Sequence, residues 1–289
     1  MSLGGVAKTV LLGLLGKMGR WVHRQGWTIL TYHALDDRRT IVSTPFWQFE
    51  TQMEYLKREG YHVSSLRPLA DHLHKGMSLP PRTVFLTFDD GLECIYTLVY
   101  PVLERLGFGA TVFLATDYMG KTTQWYRQAG IPGHPVLDWD QVADLLLRGM
   151  DFQGHTCSHP HLTQLSLQEA DREMKMGKDV IEHRTNRPVG LFAYPFGEYN
   201  GALMELAARV GFVGSLTTDI GLFQYGQHPH AIRRMGLNYL TCSDRAQATF
   251  AIDTCLGGTL ALYRQAVRGF LRFTKGNVLG SPSSPGRLG

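Results

Sequence analysis

Two short runs in this 289-residue chain gather the side chains that could do chemistry. Thr87-Phe88-Asp89-Asp90-Gly91 closes the apolar stretch Val84, Phe85, Leu86 with two adjacent carboxylates and a glycine, and His155-Thr156-Cys157-Ser158-His159 follows downstream. A buried strand that ends in two carboxylates must neutralise them, and a divalent cation does so. Two histidines four apart sit on one side of a helical turn or tight loop, so their ring nitrogens can converge on one ion. One Asp and two His make three protein ligands, the number that leaves a catalytic zinc site open to water. The other Asp is then free to take a proton from that water. Each run alone is weak, since Asp-Asp-Gly after a strand reads as a solvated turn. Together, each behind an expected strand, they imply metal-assisted hydrolysis.

The elements that must position these residues alternate. Thr28–Tyr32 reads as a strand with His33 at its end, and Phe46, Phe49, Met53 and Leu56 recur at helical spacing behind Ser43 and Thr44. His62–Leu66 is a short strand, Pro68 begins a short helix, and Pro80-Pro81 breaks the chain before the strand ending at Asp90. Ile95–Leu106 is helical and stops at Gly107; Ala110–Ala115 is a strand; 117–137 reads as a loop over the site. A helix over Asp140–Arg148, a strand over Asp151–Gly154, and a helix capped by Ser166 and running to His183 come next. Gly190–Tyr194 (strand), Ala202–Val210 (helix) and Val213–Thr218 (strand, ending at Asp219) complete the pattern. Strand-helix alternation of this kind predicts an α/β fold on a parallel sheet, closed or nearly closed. His33, Asp89, Asp90, His155, Pro195 and Asp219 all follow strands at their C-terminal ends, where such a barrel builds its site.

Composition bounds the rest. A hydrophobic fraction of 44 % suits one large core. Four cysteines, Cys94, Cys157, Cys242 and Cys255, form no Cys-x-x-Cys pair and suggest neither a disulfide framework nor a zinc knuckle. Cys157, between the histidines, is expected to be small buried packing. The net charge of +4 hides an asymmetry: Lys8, Lys17, Arg20 and Arg24 stand in 1–26, and Arg264, Arg268, Arg272, Lys275 and Arg287 in 256–289, with no acid in either segment. The middle is therefore acidic, and no nucleic-acid partner is expected.

Both ends read as amphipathic helices. Val10, Leu11, Leu14, Leu15, Met18, Trp21 and Val22 oppose Arg20 and Arg24; Tyr263, Val267, Phe270 and Phe273 oppose Arg264, Arg268 and Arg272. They fit peripheral attachment to an anionic membrane surface, or equally packing on the barrel or on each other. No segment is apolar for long enough to span a bilayer, and a secretory signal is poorly supported. A cytoplasmic or inner-membrane-surface location is favoured. The expected organisation is a basic helix over 1–26, a catalytic domain over 27–245, a second basic helix over 246–274 and a disordered tail over 275–289.

Over about residues 28–240 the chain resembles the polysaccharide deacetylases of carbohydrate esterase family 4, the NodB-homology group. Thr87–Gly91 is similar to the family's first motif, Gly154–His159 to its second and Phe192-Ala193-Tyr194-Pro195-Phe196-Gly197 to its third. Leu137-Asp138-Trp139-Asp140-Gln141 and Tyr32-His33 also fit. The resemblance implies a distorted, partly open (β/α)7-type barrel that removes acetyl groups from N-acetylated sugars. It implies Asp89 as base, Asp90, His155 and His159 as ligands of a divalent metal, zinc foremost, and Tyr194, Pro195, Phe196 and Trp139 along a substrate groove. Two departures stand out: Ala193 occupies the place of an arginine that braces the base in many members, and no late Leu-x-His follows Thr241. Both are features of the branch resembling poly-N-acetylglucosamine deacetylases, in which His33 would be the acid. Arg234, counted with the substrate-contacting residues, could reach back to Asp89; a solvated basic turn at Arg233-Arg234 is the equal alternative. The alternatives for function are a glycan-binding module that keeps the metal and a deacetylase of a lipid-linked sugar at the membrane.

Overall fold

The computed structural model describes residues 27–256 apart from 225, 238–241 and 243. The expected helix over 1–26, most of the one over 246–274 and the tail over 275–289 lie outside the described residues.

Among the described residues there are ten strands, most of them separated by helices: β1 (Thr28–Tyr32), β2 (Ala34–Leu35), β3 (Ser43–Thr44), β4 (His62–Ser64), β5 (Thr83–Phe88), β6 (Thr111–Leu114), β7 (Asp151–Gly154), β8 (Leu191–Ala193), β9 (Gly214–Ile220) and β10 (Ile232–Gly236). The order β1-β10-β9-β8-β7-β6-β5 returns to β1 through a β1–β5 pairing, so seven parallel strands close a barrel. The gap expected from the sequence is filled by that pairing, registered over five residues from Thr28↔Val84 to Tyr32↔Phe88. β4 adds an eighth strand against Thr83–Phe85, while β6 pairs with Thr87 and Phe88.

The period-two alternation of buried strands separates two layers of core. Ile29, Phe85, Phe113, Leu191, Leu216 and Ile232 form one cluster. Leu30, Tyr32, Val84, Leu86 and Phe88 belong to a larger one with helix residues such as Phe49, Met53, Leu103 and Ile181. Phe85, Thr87 and Asp89 therefore share one face of β5 and its extension.

β10 was not expected from the sequence. Ile232-Arg233-Arg234-Met235 carries two adjacent charges and looks solvated, yet only Arg233 is exposed. A register shift between Ile232 and Arg234 against β9 re-aims the chain there, as bulges do, and Arg234 is 2 % exposed. Two helix starts follow their sequence signals: Ser166 caps Leu167–Thr185 with Glu169 in a reciprocal box, and Asp138 does the same with Gln141 for Trp139–Leu147. No helix among the described residues is long and apolar enough to cross a membrane.

Candidate active site

The β1–β5 register places the first two residues. The ladder continues one step past the strands through Asp89 N–H to the Tyr32 carbonyl at 3.2 Å, which sets His33 beside Asp89. His33 Nε2 lies 3.7 Å from Asp89 Oδ2. Asp89 meets Arg234 in a fork: Nη1 donates to Oδ1 and Nη2 to Oδ2, both at 2.7 Å, with each residue 2 % exposed. Arg234 Nε is held by the Thr217 carbonyl at 2.9 Å, and its guanidinium lies over the Phe113 ring. Burial pushes the Asp89 carboxyl up, but the charge and hydrogen bonds of Arg234 outweigh it and hold it below the usual range. Arg234, expected among substrate contacts, thus has its guanidinium committed to Asp89, Thr217 and Thr87 inside the barrel.

Asp90 turns the other way. Its backbone is left-handed at φ 72°, a conformation also taken by Thr156, His159 and Phe196. Four of the seven non-glycine residues with positive φ among those described thus crowd one site, where such strain is commonly stored. Next to Asp90, Gly91 has φ 63° and a Cβ there would stand 2.7 Å from the Leu114 side chain, so the turn requires glycine.

Asp90 Oδ1 faces His159 Nε2 at 3.2 Å and His155 Nε2 at 3.4 Å, without a hydrogen bond of ordinary geometry to any described residue. All three side chains are buried, and one ligand atom from each lies within 4.8 Å of the other two. A carboxylate oxygen and two imidazole nitrogens facing one another without hydrogen bonding fit a shared cation. Nδ1 of His155 stands 2.7 Å from the Ala193 carbonyl, to which it donates in the tautomer that leaves Nε2 a lone pair. Burial lowers both imidazoles; at His155 the carboxylates of Asp90 and Asp89 outweigh it, whereas His159 stays below an ordinary histidine.

The Leu167–Thr185 helix holds the histidine loop. Glu173 accepts from the backbone N–H groups of Cys157 and Ser158, both at 2.9 Å, and from Ser158 Oγ at 2.8 Å. Gly177 lets the helix approach: a Cβ there would be 2.8 Å from the Thr156 carbonyl. Cys157 is buried and its Sγ contacts the Glu173 carbonyl, away from the ligand cluster.

Residues 76–214 match the polysaccharide deacetylase family. Over that stretch, just under half of its length, the chain is similar to that family. YxkH of Bacillus subtilis strain 168, whose name gives polysaccharide deacetylase as a provisional assignment, is 27 % identical over 208 residues, 72 % of this chain and 70 % of its own. The poly-beta-1,6-N-acetyl-D-glucosamine N-deacetylase of Escherichia coli K12 is 22 % identical over 267 residues, 81 % of this chain, and the chain spans only 40 % of its length. The structure of the Streptococcus pyogenes deacetylase PplD in complex with acetate superposes with a TM-score of 0.65 at 26 % identity, over 78 % of this chain and 98 % of that one.

Around the ligand cluster the expected groove residues divide. Phe196 is 40 % exposed, its ring stacked on His161 at 3.9 Å and edge-on to His159 at 4.6 Å. Tyr194 is corrected to a core residue: 1 % exposed, it donates to the His230 carbonyl and stacks on Tyr199. Pro195 is likewise buried. Trp139 is half-buried beneath the Arg184 guanidinium, at the start of its helix. Asp219, at the end of β9, pairs with the Tyr199 hydroxyl and takes no part in the ligand cluster.

Two residues were missed as partners of the site. Tyr126 donates its hydroxyl to Asp90 Oδ2, and Trp125 stacks on the His159 ring at 4.2 Å and 13°. Their signal was faint: two aromatics side by side in a stretch read as a loop.

Proposed function

We propose that this chain is a metal-dependent N-deacetylase acting on N-acetylglucosamine-type polysaccharide or oligosaccharide. The observation that carries it is the split between neighbours: Asp89 is neutralised by Arg234, while Asp90 offers a bare oxygen to two imidazole nitrogens. The match of residues 76–214 to the polysaccharide deacetylase family and the substrate named for the E. coli relative support the sugar.

Asp90 Oδ1, His155 Nε2 and His159 Nε2 would hold the divalent cation, and this mixed nitrogen and oxygen set suits zinc. When bound, the cation supplies Lewis acidity toward water and the acetyl carbonyl. Asp89, kept ionised by Arg234, takes the proton of the attacking water on a carboxylate oxygen. The guanidinium keeps that carboxylate fixed and leaves its remaining lone pairs for the proton. His33, with Nε2 on the same side as Asp89 Oδ2, gives a proton to the departing amine nitrogen. The Phe196 N–H, in a turn beside His159, donates toward the oxyanion, and the exposed Phe196 ring offers a face to a sugar.

A glycan-binding module with little turnover was the alternative while the base lacked a brace. Arg234 on Asp89 favours the enzyme. The test is acetate release from β-1,6-linked N-acetylglucosamine oligomers. Release that is lost on chelation, restored by zinc and absent in Asp89→Asn is expected; binding of the oligomers without acetate release would overturn the reading.

A further inference from the structure

The segment joining β6 to the Trp139–Leu147 helix is sewn to the carboxylate turn. Leu137 N–H donates to the Gly91 carbonyl at 2.8 Å and Glu93 N–H to the Pro135 carbonyl at 2.9 Å. Inside the segment, Thr123 N–H donates to the His134 carbonyl, His134 N–H returns to Thr123 Oγ1, and His134 Nε2 meets Asp36 Oδ2 at 2.5 Å. This frame presents the short Gln124–Gln128 helix to the ligand cluster, with Trp125 5 % and Tyr126 4 % exposed.

The two rings touch different ligands. Asp90 has two oxygens, and Tyr126 occupies Oδ2, which leaves Oδ1 as the one that faces both histidines. A charge-assisted bond of this kind fixes a carboxylate rotamer more firmly than packing alone. His159 lacks the hydrogen bond that orients His155, since its Nδ1 has no partner among the described residues. Trp125 on its face and Phe196 at its edge hold the ring in place instead.

We propose that Tyr126 is a positioning residue of the metal centre: its hydroxyl selects Asp90 Oδ1 as the single coordinating oxygen and so sets cation affinity. This rests on Asp90, His155 and His159 holding a cation. Partners at this remove from a metal typically change affinity by ~10–100-fold when lost. The effect passes through Asp90, with no contact to substrate required.

The experiment measures Zn2+ dissociation constants of the full chain by competition with a chromogenic chelator, together with the visible spectrum of the Co2+-loaded protein. Tyr126→Phe is expected to bind Zn2+ ~10–100-fold more weakly, with an altered Co2+ spectrum and with kcat largely recovered at saturating Zn2+. Tyr118→Phe, a hydroxyl removed from the same segment where it bonds Gln124, should bind like wild type. An unchanged constant and spectrum in Tyr126→Phe, or equal weakening in Tyr118→Phe, overturns the proposal. Should the metal-free Tyr126→Phe protein melt early, excess Zn2+ must restore the wild-type midpoint, and failure to do so also overturns it. Wild-type protein that binds neither ion would instead sink the metal reading beneath the proposal.

Discussion

Asp89 and Asp90 are one peptide bond apart and almost equally buried, yet the protein treats their charges in opposite ways. Asp89 points along the barrel-facing side of β5 and receives a full cation from Arg234. Asp90, thrown to the other side by a left-handed turn, receives a phenol and two imidazoles, none of them a permanent positive charge. A buried carboxylate with its own guanidinium needs nothing from solution, whereas one whose free oxygen faces two imidazole nitrogens invites an external cation. The proposed roles, Asp89 as base and Asp90 as cation ligand, rest on that difference.

The most drastic way to test that division is to remove each carboxylate. Asp90→Ala should lose zinc on dialysis, and Asp89→Asn should retain it while losing most acetate release. Equal zinc loss in both, measured by elemental analysis, would dissolve the distinction. Arg234→Gln should instead hurt the fold: a buried carboxylate stripped of its partner costs ~3–5 kcal/mol, readable from urea unfolding of metal-free protein. A cost near zero would mean that the Asp89 charge is met some other way. His33→Ala, acting on the Asp89 side alone, should slow acetate release by ~10²-fold with zinc content unchanged. Normal turnover removes His33 from the proton path.

Gentler changes probe what surrounds the pair. Glu173→Ala removes three hydrogen bonds from the loop that carries His159 and should cost ~2 kcal/mol in unfolding free energy, together with weaker zinc retention. Unaltered zinc affinity would show that the ligands are held from elsewhere. The smallest effect is expected at Asp36, which ties down the segment bearing Trp125 and Tyr126. Burial raises this carboxyl, but the hydrogen bonds of His134 and Ser43 outweigh it and bring it from 3.8 to about 2. A lowered folded-state value stabilises above the unfolded one and is lost as pH falls through the folded one. The melting-temperature gap between wild type and Asp36→Asn should therefore narrow as pH drops from about 4 to about 2, and a gap that stays constant would detach Asp36 from this role.

The sequence by itself determined the strand-helix alternation, because burial and capping are local. Thr28–Tyr32 and Asp151–Gly154 are strands over the same residues expected, and Ser166 caps its helix. It also singled out the residues that cluster: two carboxylates behind one strand and two histidines four apart behind another are legible wherever the strands lie. Tertiary structure alone decided the partners. Arg234 lies 145 positions from Asp89 in the chain and looks solvated beside Arg233 until a bulge in β10 turns it inward and barrel closure brings β10 next to β1. Tyr126 meets Asp90 only because backbone bonds to Gly91 and Glu93 fold a glycine- and proline-containing segment onto the carboxylate turn. Tyr194, in turn, was placed in the groove by its neighbours in sequence and is core in space, since β8 aims its side chain at Tyr199 and the backbone of His230. Periodicity encodes which face of an element is buried; which distant charge or hydroxyl meets it there depends on long-range register, which no local pattern carries.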